Sequence, residues 1–206
     1  RRLFSEGTFN AAFVPLYSAE LTKGKAPSQK FANEIYNILI ICLLFLILII
    51  EIFMPWFVLL IAPGFTENSE KLELTIYLTR ITFPFLFFIS LASFFAAILN
   101  SHNKFALSAA APIVLNIILI LILLFGRYLN DDLVKYLAYG VTISGIIQFL
   151  LLIWFVKNFV SLNISLKFKL TKNVKLFFTK LLPSIFSSGV TQINILVGTI
   201  IASFQA

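Results

Sequence analysis

The chain has 206 residues, 60% of them hydrophobic and only 12% charged, with a formal net charge of +7. Soluble domains carry about 25% charged residues, so a chain this apolar cannot cover itself with polar surface, and a water-soluble globule is excluded. In hydrocarbon every backbone N–H and C=O must be paired internally. The apolar runs do not alternate as barrel strands do, which leaves an all-α, polytopic transmembrane helix bundle.

Taken in order, Arg1 to Leu21 is the least apolar helical stretch and reads as the end of a helix whose beginning lies upstream. Within it Arg2 and Glu6 are spaced i, i+4 and can meet on one face. Five spans of about twenty residues or more follow. They cover Ile35 to Ile61, Leu74 to Leu99 with Pro84 inside, Leu107 to Phe125, Tyr136 to Val156, and Phe177 to Phe204. Glu51 falls about 30 Å along the first span at 1.5 Å per residue. That puts it beside Pro55 and Trp56, where an interfacial boundary is expected. The chain opens on Arg1 and stops at Ala206 directly after an apolar segment, so it reads as an internal fragment.

The connections between spans alternate in charge. Lys23, Lys25 and Lys30 face one acid, Glu20, whereas Glu67, Glu70 and Glu73 surround Lys71. His102 and Lys104 stand without an acid, and Arg127 and Lys135 balance Asp131 and Asp132. Lys157, Lys167, Lys169, Lys172, Lys175 and Lys180 again have none. Lysine and arginine accumulate in cytoplasmic loops, so the loops near 22–30, 100–106 and 157–175 are expected there. The positive charge is thereby spent on orientation, with no basic aromatic groove of the kind nucleic acid needs. The 157–175 loop lies where membrane lipids can attract its lysines. Its apolar residues Leu162, Ile164, Leu166 and Phe168 alternate, which does not fit an amphipathic helix. It is the expected boundary between two bundles.

Polar groups at membrane depth are costly and invite a functional reading. Arg1 and Arg2 carry planar donor forks that match phosphate oxygens and stay charged at any relevant pH. With Glu6 they form either a surface ion pair or part of a cavity for an anion. Arg80 either snorkels outward or lines an outer mouth. Asn116 and Gln148 sit inside their spans and are expected to bond between helices. Gln192 and Asn194 share the last span with Pro183, Ser184, Ser187, Ser188, Gly189 and Gly198, a composition suited to bending. Gly140 and Gly145 form no packing motif. Cys42 and His102 are each the only residue of their type, which offers neither a disulfide nor a metal site. No catalytic constellation or phosphate loop is present, so neither an enzyme nor a cofactor is expected.

Several segments carry a family resemblance. RRLFSEGTFNAAFVP (1–15), APGF (62–65), RITFPFLFFISLASFFAAILNSHNKFA (80–106), APIVLN (111–116) and PSIFSSGVTQINILVGTIIAS (183–203) resemble, in order, the MurJ/MviN family of lipid II flippases. The resemblance implies a bacterial inner-membrane protein of the same superfamily as drug extruders and polysaccharide flippases, with about fourteen helices in two lobes around a central cavity. It implies that residues 1–156 form most of the amino-terminal lobe, 157–175 the inter-lobe loop, and 176–206 the first helix of the other lobe. The expected partner is lipid II, the undecaprenyl-diphosphate-linked peptidoglycan precursor, carried by a monomer through alternating access. The family's cationic cavity corresponds to Arg1, Arg2 and Glu6, with Asn116 and Gln192 on helices that border it. The alternatives are a drug/cation antiporter or polysaccharide-lipid flippase of the same superfamily and, from another class, a non-transporting membrane scaffold.

Overall fold

The computed structural model describes residues 8–126, 133–165 and 171–204, and among them every regular element is helical. The order is α1 (Thr8–Thr22), α2 (Lys25–Ile52), α3 (Met54–Ile61), a 3₁₀ turn (Pro63–Glu67), α4 (Ser69–Thr82), α5 (Phe85–Ser101), α6 (Phe105–Gly126), α7 (Leu133–Val156) and α8 (Lys172–Ser203). Arg1, Arg2 and Glu6 lie outside the described residues.

Among the described residues four stretches are long and apolar enough to cross a membrane: Lys25–Ile52, Ser69–Ser101, Phe105–Gly126 and Leu133–Val156; the expected fifth, Phe177 to Phe204, has only a shorter apolar helix at Gln192–Ser203. The expected first span ran on to Ile61, but the helix breaks at Phe53, just before Pro55 restarts it in the first turn of α3. The second starts earlier than Leu74, because Asn68 caps α4 by accepting the Lys71 N–H at 3.0 Å. An N-cap side chain satisfies one of the orphan donors of a first turn. Pro84 interrupts this span between α4 and α5, and the Thr142 hydroxyl of α7 donates to the Ile81 carbonyl beside the break. Irregular backbone at membrane depth is tolerated where neighbouring helices supply such partners.

Two tight turns explain the hairpins at one end. Gly24 links α1 to α2 at a φ of 125°, which side chains disfavour. Asn103 follows α5 at a φ of 59°, while the Lys104 N–H reaches back to Leu99 O at 2.9 Å and the Asn103 N–H to Asn100 O at 3.0 Å. That pair of bonds is the Schellman ending, in which asparagine substitutes for glycine at the left-handed position.

Helix α5 is central and packs on α1, α2, α6 and α7, while α7 also packs on α4 and α6. Where α1, α2 and α5 meet, the core is aromatic. Phe13 lies 5.2 Å from Phe94, 5.4 Å from Phe9 and 5.7 Å from Phe31, measured between ring centroids. The first turns of α8 close this core, with Val174 and Phe177 buried and Phe177 edge-on to Phe9 at 5.6 Å. Gly145 proves to be a packing residue after all, since an added Cβ would come within 2.6 Å of the Phe85 ring on α5. Gly140 meets Ile122 of α6 in the same way. A five-residue spacing conceals this, because the two glycines serve different neighbours.

The connection after α7 is not helical. Ser161 O accepts from Gln29 Nε2 at 3.0 Å and from Asn33 Nδ2 at 3.2 Å. The Asn163 N–H donates to Asn33 Oδ1 at 2.8 Å, and the Ser165 N–H to Asn37 Oδ1 at 2.9 Å. Thr171 then donates to Glu34 Oε2 at 2.6 Å. Gln29, Asn33 and Asn37 recur every four residues and so line one face of α2, giving the strap a row of partners. Leu162 packs toward the core, whereas Ile164, two residues on, faces outward, so this part of the connection does not keep its apolar residues on one face as extended chain would. Tyr17 bonds His102 Nε2 at 3.1 Å, and the imidazole stacks on Phe159 at 4.6 Å. Residues 22–24, 102–104 and 157–165 therefore gather at one end of the bundle. Burial pushes the His102 imidazole below its ordinary value.

Candidate functional site

The apolar surface locates the places where polar side chains have work to do. Phe45, Leu48, Ile52 and Trp56 of α2 and α3 are exposed, as are Ile113, Ile117, Ile120 and Leu124 of α6. Only 6% of the α6 span is buried inside the bundle, a surface suited to lipid as its solvent. Cys42 is exposed on the same kind of surface.

Helix α8 is held differently along its length. Its start is locked into the aromatic core through Val174 and Phe177. Its far end is tied to the APGF segment, where the Gly64 N–H donates to Ser203 Oγ at 3.0 Å. The contact is backbone-close, and a Cβ at Gly64 would collide with the Ser203 carbonyl. Between these two anchors Ile193 through Thr199 are all exposed. Seven successive residues cover nearly two turns of helix, so α8 stands clear of the bundle over this stretch. Added Cβ atoms at Gly189 and Gly198 would meet nothing within 4 Å. Gln192, half-buried, is at the edge of this open stretch. Asn116 is exposed on α6, which packs on α5 and α7.

A second hollow of about 120 Å³ lies between α1, α5, α6 and α7, lined among others by Asn10, Ser93, Ser108, Pro112 and Gln148. Gln148 is 1% exposed, and neither its nitrogen nor its oxygen has a hydrogen-bond partner in the protein. The interhelical bond expected for it is thus not made. The sequence reading passed over Asn10. Its one available signal was its spacing, four residues after Glu6 in the sequence. At the opposite end Arg80 is exposed, and Glu51 is half-buried with one carboxylate oxygen enclosed and unpaired.

This arrangement has counterparts. A family model described as lipid II flippase MurJ matches residues 1–206. The chain belongs to the MurJ family. A probable lipid II flippase MurJ of Rhizobium meliloti is 39% identical over 98% of this chain and 39% of its own length. One from Rickettsia prowazekii is 35% identical over 99% of the chain and 40% of its own. The chain therefore spans about two fifths of the curated relatives it matches. A solved structure described as lipid II flippase MurJ in an inward closed conformation superposes with a TM-score of 0.79 at 28% identity, covering 100% of this chain and 42% of that one. The MurJ fold and its superfamily membership are thereby shown for this segment, and with them a multi-pass membrane protein.

Proposed function

We infer that the whole protein containing this segment moves lipid II across the bacterial inner membrane, with the gap beside α8 as part of the route. The observation that carries this reading is the mounting of α8, held at its start and its end and exposed from Ile193 to Thr199 within this segment. A helix so held can bow at Pro183 while its ends keep their contacts, because proline removes an intrahelical hydrogen bond. Residues 1–156 form most of one lobe and residues 176–206 the first helix of the other, joined by the basic connection at 157–175. Helix α8 itself starts at Lys172, inside the expected connection. The strap along Gln29, Asn33 and Asn37 anchors the connection to the first lobe and makes the start of α8 the pivot.

In this mechanism Arg1 and Arg2 bind the diphosphate, Glu6 orients them, and Gln192 and Asn116 border the passage while the polyprenyl tail stays in lipid. The ends rich in lysine face the cytoplasm, where the three basic connections meet. Rocking of the lobes alternates access, and the Gly64–Ser203 contact closes the outer side. Arg1→Ala in the full-length protein is expected to abolish lipid II translocation in cells depleted of their own flippase. Translocation at the wild-type rate would remove Arg1 from the site.

A further inference from the structure

The hollow behind α1 is unlike the rest of the interior. Elsewhere α5 meets its neighbours through Phe94, Phe95, Ile98 and Leu99, all buried and apolar. On the face toward α6 and α7 it presents Ala92, Ser93 and Ala96 to a space that no side chain fills. The Gln148 amide closes one side, with both polar atoms enclosed and unpaired, and Asn10 Oδ1 is enclosed and unpaired as well. Pro112 on the third wall has no N–H to give to the Ser108 carbonyl one turn before it. Ser93 and Ser108 turn their hydroxyl protons elsewhere, to Ile89 O and Asn100 Oδ1 respectively, which leaves oxygen lone pairs available in the hollow.

The ligand must satisfy a donor and several acceptors at once. A bare cation would serve the oxygens and leave the Gln148 NH₂ group unpaired. An apolar occupant would serve neither, and buried polar groups are otherwise almost always paired. Water both donates and accepts, and it occupies cavities that are polar and large enough, whereas purely apolar cavities stay dry. We propose that this hollow is a built hydration site, in which a small cluster of ordered water links Gln148 of α7 to Asn10 of α1 across α5 and α6. The proposal does not depend on the transport reading. Its consequence is mechanical: water-mediated bonds hold α1 to the lobe through exchangeable partners, whereas the aromatic core holds it through fixed packing.

Radiolytic hydroxyl-radical labelling of the full-length protein in lipid nanodiscs tests this, because radicals born from bound water mark the side chains beside it. Leu152 lines the hollow and is 1% exposed, so bulk solvent does not reach it. In the wild type Leu152 is expected to be modified, while Leu99, 0% exposed in the dry core, is not. Gln148→Leu should bring Leu152 down to the level of Leu99, and Asn10→Leu, on the opposite wall, should lower it too. The wild-type measurement decides alone if a variant fails to fold. Leu152 as silent as Leu99 in the wild type overturns the proposal, as does labelling unchanged in both folded variants.

Discussion

The two faces of α5 show how one helix can be dry on one side and polar on the other. Toward α1 and α2 it presents Phe94 and Phe95, whose rings meet Phe9, Phe13 and Tyr36 at 5.2–6.2 Å. Toward the hollow beside Gln148 it presents Ala92, Ser93 and Ala96, although Phe88 and Phe95 still meet Phe149 of α7. Lipid tails are as apolar as the protein core, so the hydrophobic effect does not distinguish these faces, and packing and hydrogen bonds do. The aromatic face gains from dense contact, and the small-residue face allows a polar group to persist inside.

This contrast can be broken most severely at Phe13. Phe13→Ala removes a ring with no exposed surface and four aromatic neighbours. It should cost about 3–5 kcal/mol, read as a lowered thermal midpoint of the full protein in detergent. A midpoint within error of the wild type would show that the aromatic face is not what holds α1. Gly64→Ala comes next, at roughly 1–3 kcal/mol for forcing a methyl group against the Ser203 backbone. Spin labels on α3 and on the end of α8 should move apart, and an unchanged distance would show that the contact yields without opening. Gln148→Leu should shift stability by less than about 1 kcal/mol, since an apolar group then replaces an amide and the water it holds. A loss as large as that of Phe13→Ala would erase the distinction between the two faces.

The smallest effect concerns pH. The His102 imidazole is held below its ordinary value of 6.5 by burial against Tyr17 and Phe159. The unfolded chain therefore binds more protons than the folded one as pH falls through and below 6.5. The stability this neutral imidazole confers is present above that value and is lost on acidification toward its folded pKa. The protection of amides at the α5–α6 turn, measured against the intrinsic exchange rate at each pH, should fall over that range, and His102→Gln should flatten the response. A fall of equal size in the variant would assign it to another group.

Residue types at fixed spacing made part of this readable. The run from Phe85 to Ser101 is helical because it is apolar with no breaker inside, whereas the left-handed Asn103 that closes it was not picked out from the sequence. The strap after α7 was misfit to a helix by its own alternation, but its partners Gln29, Asn33 and Asn37 lie about 130 residues earlier. No local pattern names such a partner. Gln148 shows the same limit from the other side, because an amide within an apolar run carries no sign of whether its neighbour is another amide or a hollow. Asn10 was overlooked because a single asparagine near a helix start is unremarkable until its surroundings are known.

By itself the sequence determined that the chain lives in lipid, the place of four of its five expected spans, where the basic connections fall and which family motifs it bears. These follow from solvation energy and from residue spacing along one helix, both of which are local. The tertiary structure alone decided that α8 is pinned at its ends, that Gly64 and Gly145 are points of close approach, and that Gln148 faces an unfilled space. Those facts depend on distances between helices far apart in the chain, and such distances are set by side-chain volumes acting together.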